Sequence, residues 1–579
     1  MPSLSLPQLP IAPASPQQPT DAAGSVCSTG ASHVHPADHQ QPDATPGGGG
    51  PSVYLETFGC QMNVLDSQLV TAQLRGLGYR FTDHWPSADV VLYNTCSVRE
   101  QAENKVWSRV GIVGKHKRDH PHVVLGVIGC MAERDGEAMF KKHPQVDLLC
   151  GPGELNQLPQ QIDTLVQTKK AHPDQVYLDA DARQVALQGS NARRSATLAA
   201  AADQLEHVDL SRSFSPDLPE NNVAAGRSAY VRITRGCNKL CTYCVVPHTR
   251  GQEVHRHPDH IVDECKKLAD HGVLEITLLG QTVNHYHYDL NHAAEVGGVW
   301  QPQVGTVISP NAGNGGPSPV FNGNTTTFAK LLKRIHDEVP AIQRLRFVTS
   351  LPRDFGDDIL RVIADSPRIC PYLHLPVQSG SDRVLARMNR GYRAKHYFDL
   401  VDRVRHFLPE ATLATDIIVG FPGETDDDYQ KTRDLLEYSR YKNAFIFKYS
   451  PRPGTTAFDR LPDDVPDADK RARNNDLLAL QSRISTEIHA EQVGKTLSVL
   501  VEGQSKQARK QADPAASASD ITQLTGRTAT DLIAHFQGHP SLVGTLTDLR
   551  ITGSAALSLQ GEAVTTQSRQ SSPAVTANV

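Results

Sequence analysis

The sequence predicts an α/β protein with three folded parts: an N-terminal parallel-sheet α/β domain, a partial (β/α)6 barrel, and a small C-terminal antiparallel β-barrel. Strands alternate with helices in two separate regions, the pattern of parallel sheets covered by helices. The second region holds six such units, which suits a partial barrel. A shorter region near the end alternates apolar and polar residues, which indicates antiparallel strands. A chain of 579 residues is long enough for all three parts.

Composition and charge exclude several classes of protein. Hydrophobic residues make up 39% and charged residues 21% of the chain, so most of it can bury a core. The net charge is -5 and the sequence pI is near 6.6, which excludes a globally basic nucleic-acid binder. The mean hydropathy is -0.39 and no apolar run reaches the length of a membrane span, so we expect no membrane partner.

The N-terminal segment and the cysteine count indicate a cytoplasmic protein. Residues 1–50 contain no Lys or Arg, so neither a secretory signal nor a transit peptide is expected. Ten cysteines are too sparse for a disulfide scaffold in a chain of this size. We therefore expect reduced thiols that are able to bind metal.

Shifts in composition divide the chain. The first segment is rich in Pro, Ala, Ser and Gly, which predicts disorder, and a Gly-, Asn- and Pro-rich stretch predicts a surface insertion within the barrel. The predicted divisions are a disordered tail (1–50), the N-terminal domain (51–169), a polar linker (170–222), the barrel core (223–490, with an insertion at about 291–326), the C-terminal barrel (491–562) and a polar tail (563–579).

The strongest local signal is the run Cys237-Asn-Lys-Leu-Cys241-Thr-Tyr-Cys244, which follows the first predicted barrel strand. Three thiolates at this spacing can wrap one cubane iron–sulfur cluster and leave one iron open for another ligand. Half of a zinc site is the alternative interpretation. No fourth Cys or His stands at zinc-finger spacing, although His248 and His255 are close in sequence.

A second set of three cysteines is spread along the N-terminal domain. Cys60, Cys96 and Cys130 each directly follow a predicted parallel strand. Because the carboxyl ends of parallel strands meet at one edge of a sheet, we expect the three thiols to be neighbours. Gly59 and Gly129 would let the backbone approach a bulky group closely. The alternative is three buried cysteines that act as small apolar residues.

The local strings around these cysteines indicate a family. The run Cys237 to Cys244 in a βα barrel resembles the radical S-adenosylmethionine (SAM) superfamily. The strings Glu56-Thr-Phe-Gly-Cys60-Gln-Met-Asn63, Asn94-Thr-Cys96-Ser-Val-Arg-Glu100 and Gly129-Cys130-Met-Ala132 resemble the methylthiotransferase family within it. The Gln-Met-Asn and Ser-Val-Arg-Glu strings favour the subgroup that acts on tRNA dimethylallyl-adenosine. The resemblance spans roughly residues 52–562, and the C-terminal barrel resembles the TRAM domain, an RNA-binding module.

The resemblance implies an enzyme with two [4Fe–4S] clusters and SAM as cofactors. Cys237, Cys241 and Cys244 would hold the cluster that generates a radical from SAM. The N-terminal triad would hold an auxiliary cluster that carries the sulfur. The implied reaction inserts sulfur and a methyl group at C2 of N6-dimethylallyladenosine at position 37 of tRNA.

Partners and alternatives follow from the same resemblance. It implies a monomer that binds the tRNA anticodon stem-loop, an electron donor such as flavodoxin or ferredoxin, and iron–sulfur assembly proteins. One alternative is the same chemistry on threonylcarbamoyl-adenosine in tRNA or on a ribosomal protein. Another is a non-catalytic, metal-stabilised RNA-binding protein.

Several residues at predicted strand ends are candidates for SAM binding. The resemblance places Tyr243 against the adenine of SAM, Gln281 after the second barrel strand, Gln378 and Ser379 after the fourth, and Asp416 on the fifth. The alternative is that the Gly- and Pro-containing segments around them only turn the chain.

Basic residues on the barrel are candidates for RNA contacts. Arg383, Arg387, Arg390 and Arg393 occur in a run without acidic residues, and Arg527 matches the TRAM-like pattern. A solvated helix face is the alternative for this run. A second basic stretch runs from 232 to 256, whereas residues 491–567 hold six Lys or Arg against seven Asp or Glu.

Other Cys and His residues carry no predicted role. Cys27, Cys150, Cys265 and Cys370 match no ligand spacing and are interpreted as bystanders. His255, His257 and His260 cluster in sequence, and we interpret this cluster as chance.

Overall fold

A computed structural model describes residues 50–97, 100–188, 227–296, 299–305, 323–511 and 521–564. Nearly all of the two predicted tails, and much of the predicted linker and insertion, lie outside the described residues. Among the described helices, none combines the length and apolar character needed to cross a membrane.

The N-terminal domain is a six-stranded, fully parallel sheet with strand order β2-β1-β3-β4-β5-β6. Its central strands are buried along their whole length, as expected for strands covered by helices on both faces. The strands are β1 (Ser52–Thr57), β2 (Arg80–Phe81), β3 (Val90–Thr95), β4 (Val124–Gly129), β5 (Leu148–Cys150) and β6 (Gln184–Ala186). The helices are α1 (Gln61–Gly76), α2 (Glu100–His116), α3 (Cys130–Asp135), α4 (Ala138–Lys142) and α5 (Leu158–Ala171).

The domain extends further along the chain than the composition predicted. Strand β6 pairs with β5 although it lies within the segment predicted as linker. A three-residue strand of sequence Gln-Val-Ala has no apolar periodicity, so only its neighbour in the sheet defines it.

The second domain is a partial barrel of six parallel strands. Two three-stranded sheets, β7-β10-β16 and β17-β18-β19, meet through a bridge between Leu345 and Ile369. These strands are β7 (Ser228–Arg232), β10 (Glu275–Leu279), β16 (Arg344–Val348), β17 (Tyr372–His374), β18 (Thr412–Val419) and β19 (Asn443–Lys448). This arrangement confirms the predicted (β/α)6 class.

Helices and short strands complete the second domain. Its helices are α6 (Val246–Thr249), α7 (Pro258–Asp270), α8 (Phe328–Glu338), α9 (Asp357–Ala364), α10 (Asp382–Arg387), α11 (Ala394–Phe407), α12 (Asp426–Ser439), α13 (Thr456–Arg460) and α14 (Asp467–Ala490). Its short strands are β8 (Thr234–Arg235), β9 (Val254–His255), β11 (His287–Asp289), β12 (Glu295–Val296), β13 (Val299–Trp300), β14 (Gln303–Val304) and β15 (Thr325–Thr327). Strand β14, from the insertion, pairs with β9 beside the cysteine loop.

The C-terminal domain is a closed five-stranded barrel, as predicted, but one of its strand pairs is parallel. Strands β22 and β24 run in the same direction, and the other four pairs are antiparallel. The elements are β20 (Thr496–Gln504), α15 (Lys506–Gln511), β21 (Thr522–Thr528), β22 (Ile533–Gly538), β23 (Leu546–Ala555) and β24 (Ser558–Ala563).

The C-terminal barrel covers the amino ends of the second domain's strands. Arg344, the first residue of β16, donates a hydrogen bond to the carbonyl oxygen of Arg527 at 2.6 Å. Lys442, just before β19, donates to the Asp531 carboxylate at 2.7 Å, and Arg346 lies 3.9 Å from the same carboxylate. This end of the barrel is therefore closed, and a substrate must approach from elsewhere.

The N-terminal domain packs against the second domain through α1. Met62, Leu65 and Leu69 form a buried cluster with Leu279, the last residue of β10. Helix α1 therefore lies at the carboxyl ends of the barrel strands, where βα barrels place their active sites.

Candidate metal centres and active site

The structure places Cys60, Cys96 and Cys130 together at one edge of the N-terminal sheet. Cys60 precedes the first residue of α1, Cys96 follows β3, and Cys130 is the first residue of α3. Strand β3 lies between β1 and β4, so all three cysteines follow neighbouring strands. The sulfur atoms of Cys60 and Cys96 are within hydrogen-bonding reach of each other.

Two glycines allow this close approach. Gly59 has a φ of +148°, and a Cβ on it would lie 2.7 Å from the Cβ of Cys96. Gly129 has a φ of +91°, and a Cβ there would lie 2.5 Å from the side-chain oxygen of Asn94. Neither position accepts a larger residue without displacing the cysteine loops.

A buried amide pair connects two of these loops. The Nδ2 atom of Asn63 donates to Oδ1 of Asn94 at 2.9 Å and to the carbonyl oxygen of Thr95 at 3.1 Å. Asn94 returns a hydrogen bond to the carbonyl oxygen of Asn63 at 2.8 Å. Because Oδ1 of Asn63 also lies 3.2 Å from the Cys60 sulfur, this pair fixes the thiol relative to β3.

Arg250 of the second domain supplies positive charge to this triad. Its guanidinium donates to Asp66 of α1 at 2.8 Å and interacts electrostatically with Cys60 and Cys130. A hydrogen bond from Cys96, together with Arg250, lowers the pKa of Cys60 to about 5 although burial opposes this. Burial raises the pKa of Cys130, and Arg250 opposes that rise. Arg250 therefore favours the thiolate forms that bind metal.

The second triad lies on the loop between β8 and α6. Cys237, Cys241 and Cys244 are each partly exposed. The backbone N–H of Cys237 donates to the carbonyl oxygen of Gly251 at 3.1 Å, and the backbone nitrogen of Lys239 lies 3.4 Å from the Cys237 sulfur. These contacts close the loop at its base, and burial raises the pKa of the Cys237 thiol well above its usual range.

Arg390 is buried against this loop. Its Nη1 atom lies 3.4 Å from the Cys241 sulfur and 3.4 Å from the Tyr243 hydroxyl, and its Nη2 donates to the carbonyl oxygen of Pro376 at 2.7 Å. Burial would lower the pKa of Arg390, but Tyr243, Tyr392 and Cys241 hold it well above its usual range. Arg390 therefore places a buried positive charge beside the Cys241 sulfur.

One short segment joins the two triads. Helix α6 begins two residues after Cys244 and packs against α3, which begins with Cys130. Thr249, the last residue of α6, hydrogen-bonds Cys130 with its hydroxyl, and Arg250 is the next residue. Both triads therefore adjoin the contact between α6 and α3, where the two domains meet.

The thiols suit iron–sulfur clusters better than zinc. All nine described cysteines are free thiols. Within the described parts of the chain, neither triad has its three sulfur atoms within 4.8 Å of one another. A single zinc ion needs its sulfur ligands about 2.3 Å from a shared centre, whereas a cubane spans a wider gap. Each triad supplies three ligands, which leaves one iron of a cubane open.

Two predicted SAM-binding residues lie beside the cysteine loop and the end of β10. The Tyr243 ring contacts Phe421 edge-on, with ring centroids 6.3 Å apart. Gln281 follows β10, and its buried Oε1 atom has no hydrogen-bond partner among the described residues. An acceptor of this kind fits the ammonium group of SAM.

The other three predicted SAM-binding residues are held by local contacts. The backbone of Gln378 exchanges hydrogen bonds with β18, and the Ser379 hydroxyl lies 3.1 Å from that of Thr432. Asp416 lies 3.6 Å from the His374 ring nitrogen and is partly exposed. Asp416 is therefore the one of the three whose polar side-chain atoms are clearly accessible.

The predicted RNA-binding arginines have different surroundings. Arg383 is bound to the Asp428 carboxylate and to the carbonyl oxygen of Gly423, and Arg387 is half-buried. Arg393 is exposed at the start of α11. Arg390 is buried against Cys241, a position that does not support a phosphate contact.

Arg527 and the second basic stretch are also engaged inside the protein. Arg527 pairs with Glu502 at 3.0 Å and with Asp531 at 2.9 Å, at the junction of the two barrels. The basic residues of the stretch from 232 to 256, namely Arg232, Arg235, Lys239, Arg250 and Arg256, are all buried. The expectation that phosphates approach this stretch is wrong, because its arginines position loops and cysteines.

Sequence reasoning missed the polar residues that support the triads. Asn63 and Asn94 belong to the strings that carried the family resemblance, so their proximity to cysteine was a usable signal. Arg250 follows Cys244 by six positions, but its contact with the N-terminal thiols depends on domain packing. No local pattern in the sequence indicates that contact.

Two family models match the chain. Residues 52–151 match the uncharacterized protein family UPF0004, and residues 231–436 match the radical SAM superfamily. Among solved structures, a radical S-adenosylmethionine methyltransferase from Kitasatospora setae aligns over 78% of this chain and 80% of its own. That alignment has 14% identity and a TM-score of 0.44, a similarity too distant to indicate function.

Curated relatives match almost the whole length. A tRNA-2-methylthio-N(6)-dimethylallyladenosine synthase from Rhodopirellula baltica is 41% identical over 516 residues, covering 89% of this chain and 96% of the relative. The protein of the same name from Akkermansia muciniphila is 37% identical over 511 residues, covering 88% and 98%. Both alignments are long enough to include the two triads and the C-terminal barrel. The chain therefore belongs to the tRNA-2-methylthio-N(6)-dimethylallyladenosine synthase family.

Proposed function

We propose that this chain is a transferase that inserts sulfur and a methyl group at C2 of N6-dimethylallyladenosine at position 37 of tRNA. One observation carries the proposal. Two cysteine triads on different domains adjoin the contact between α6 and α3. A radical SAM enzyme that only generates a radical would need one triad, whereas sulfur insertion requires a second cluster as a sulfur source.

The cofactors are SAM and two [4Fe–4S] clusters. Cys237, Cys241 and Cys244 would hold one cluster, and the triad of Cys60, Cys96 and Cys130 would hold the other. When bound, these groups supply the radical that activates an aromatic C–H bond and the sulfur and methyl group that replace the hydrogen.

Residues of the chain position these groups and balance their charge. Arg250 and Arg390 place guanidinium groups beside the thiolates of the first and second triads. The buried amides of Asn63 and Asn94 fix the positions of two loops of the first triad relative to each other. Gln281 offers an acceptor for the ammonium group of SAM, and the Tyr243 ring is available to its adenine.

Partners follow from the same chemistry. The substrate is tRNA, bound through its anticodon stem-loop. A low-potential one-electron donor such as flavodoxin or ferredoxin would supply the electron for the radical SAM cluster, and iron–sulfur assembly proteins would supply both clusters. The proposed enzyme is a cytoplasmic monomer. One chain is enough for the reaction, since it supplies both triads.

Arg393 is the best supported of the predicted RNA contacts, because it is exposed and immediately precedes α11. We expect Arg393→Gln to weaken tRNA binding. The salt dependence of the binding constant should fall by the amount expected for about one phosphate contact. Arg471→Gln, at another exposed arginine, is the control for the change in net charge. Equal effects of the two variants would remove Arg393 from the RNA surface.

The function is tested with two triple variants. The chain is reconstituted anaerobically and supplied with SAM, a reductant and tRNA bearing N6-dimethylallyladenosine. We expect the wild type to form the 2-methylthio nucleoside, measured by mass spectrometry after digestion. The Cys60→Ala/Cys96→Ala/Cys130→Ala variant should cleave SAM without forming product, and the Cys237→Ala/Cys241→Ala/Cys244→Ala variant should do neither. Each should keep about half of the iron, at about four irons per cluster.

A cysteine outside both triads provides the control for this experiment. Cys265→Ala, at a buried cysteine outside both triads, should keep full activity. If the wild type instead modifies threonylcarbamoyl-adenosine or a ribosomal protein, the substrate assignment fails while the chemistry stands. If the first triple variant keeps all of the iron, the N-terminal triad binds no cluster and sulfur insertion is excluded.

A further inference from the structure

Three histidines that belong to neither cysteine triad lie close together near the cysteine loop. His255 ends β9, His287 begins β11, and His285 lies two residues before it. All three are buried, and one ring nitrogen from each lies within 4.8 Å of the other two. In the sequence His255 clusters with His257 and His260, whereas in the structure it lies beside two residues about 30 positions further along the chain.

Hydrogen bonds orient two of these rings. The Nδ1 atom of His285 donates to the Glu253 carboxylate at 2.7 Å, and Nδ1 of His287 donates to the carbonyl oxygen of His285 at 2.9 Å. In each ring the proton is therefore on Nδ1, which makes Nε2 the atom that carries the lone pair. A carboxylate or carbonyl behind an imidazole is the usual support of a metal-binding histidine.

Several buried polar atoms at this place have no partner among the described residues. They are Nε2 of His285, both ring nitrogens of His255, and the second carboxylate oxygen of Glu253. Aromatic packing alone would not satisfy these atoms, although the rings of His255 and His287 lie 4.5 Å apart. Buried polar atoms without partners are rare because each costs free energy, so a set of four indicates a ligand.

We propose that His255, His285 and His287 bind a single divalent metal ion of the zinc class. Three imidazoles are a donor set that suits zinc and related borderline metals, and they exclude magnesium and calcium, which prefer oxygen ligands. Glu253 orients His285 and balances the charge of the ion. The fourth position of a tetrahedral ion is left for a small ligand such as water.

The site would link β9, which follows the cysteine loop, to the segment that leads into the insertion. A Cβ on Gly305 would lie 2.4 Å from Nε2 of His255, so glycine leaves room at this ring. Asn238, which follows Cys237, donates to the carbonyl oxygen of Gly305 at 2.8 Å and accepts from the N–H of Glu253 at 3.0 Å. An ion held here would therefore join β9 to residues 285–287, next to the insertion and to the base of the second triad.

Zinc content and zinc ligation test the site in the full-length chain with both clusters reconstituted. After dialysis against micromolar zinc and removal of excess metal, we expect about one tightly bound zinc per chain. Its X-ray absorption spectrum should show nitrogen ligands at about 2.0 Å, with imidazole scattering and no sulfur at about 2.3 Å. The His285→Gln and His287→Gln variants should each lose at least nine-tenths of this zinc and keep their iron.

A matched control separates the site from other histidines. His292→Gln makes the same substitution a few residues further along the chain, at a side chain that is 80% exposed, and should keep all of the zinc. Absence of tight zinc, retention of zinc by both buried variants, or sulfur ligands in the spectrum would overturn the proposal. The wild-type spectrum decides the question even if a variant does not fold. Sulfur ligation would point to zinc in a cysteine triad, which separates this failure from failure of the proposed reaction.

Discussion

At the scale of single residues, Arg250 of the second domain makes electrostatic contacts with the N-terminal domain. It is buried, pairs with Asp66, and faces the thiols of Cys60 and Cys130. We expect Arg250→Gln to lose about half of the iron after anaerobic reconstitution, because the N-terminal thiolates would lack a counter-charge. Arg250→Lys should keep more iron than the Gln variant, since it retains the charge.

The control for this prediction is Arg109→Gln, which removes a 47% exposed arginine near Glu56 in the same domain. It should keep all of the iron, because an exposed ion pair contributes little to stability. Iron and sulfide are measured per chain, and circular dichroism checks that each variant is folded. Full iron in Arg250→Gln would show that the charge is not needed for cluster binding.

His489 gives the protein a pH-dependent stability. The ring is buried on α14, and its Nδ1 donates to the carbonyl oxygen of Ser485 at 2.7 Å. Burial lowers the pKa of His489. The unfolded chain therefore binds more protons than the folded chain once the pH falls below about 6.5, and the folded state loses stability there. The slope approaches about 1.4 kcal/mol per pH unit between the unfolded and folded pKa values and vanishes below the folded one.

We expect His489→Gln to reduce this loss. Urea unfolding at pH 7.5 and pH 5.5 should show a smaller drop in unfolding free energy for the variant than for the wild type. Other buried histidines titrate equally in both proteins, so the difference between them isolates His489. Identical drops would mean that His489 is protonated to the same extent in the folded and unfolded chains.

At the scale of elements, the turn from β1 into α1 depends on Gly59. Its φ is +148°, and a Cβ at this position would lie only 2.7 Å from the Cβ of Cys96, which leaves no room for a side chain. We expect Gly59→Ala to destabilise the N-terminal domain by about 1–3 kcal/mol and to lower its iron content. Thermal unfolding and iron analysis measure the two effects.

Gly76, in the last turn of α1, is the matched control. A Cβ there would meet no atom within 4 Å. Alanine should therefore be neutral or stabilise the helix by up to about 1 kcal/mol. If both glycine variants behave alike, the effect at Gly59 does not arise from the contact with Cys96.

How much of the structure the sequence could predict depends on how far apart the contacting residues lie along the chain. Strands that directly precede Cys60, Cys96 and Cys130 were visible in the apolar pattern, and parallel topology then placed the three thiols together. Arg390 looked like a surface residue because its contact with Cys241 joins positions 149 apart. The group of His255, His285 and His287 is hidden for the same reason, since it joins positions about 30 residues apart in the chain.

At the scale of the whole molecule, Asp531 holds the C-terminal barrel against the second domain. Burial alone would raise its pKa, but Lys442, Arg527 and Arg346 keep the pKa of Asp531 well below its usual range. We expect Asp531→Asn to lower the unfolding free energy by about 3–5 kcal/mol, because Lys442 would lose its carboxylate partner and Arg527 and Arg346 would each lose one of theirs. Urea unfolding of the full chain measures the change.

Asp548→Asn is the control for this interface. Asp548 lies exposed on β23 of the same barrel, so its loss should change stability by no more than about 0.5 kcal/mol. Limited proteolysis should in addition release the C-terminal barrel faster from Asp531→Asn than from Asp548→Asn. Equal stability of the two variants would show that other contacts hold the C-terminal barrel in place.

The segment from Cys244 to Arg250 has a consequence for how the nucleic acid must behave. Because one short stretch of chain touches both triads, opening a hinge between the domains cannot bring the sulfur source to a distant base. The base itself must therefore move toward the triads. Adenosine 37 has to leave its stacked position and swing into the space between the triads, and unstacking costs a few kcal/mol in such enzymes. That space must then admit a whole flipped nucleoside together with its dimethylallyl group, so tight binding of the surrounding loop has to compensate for the lost stacking.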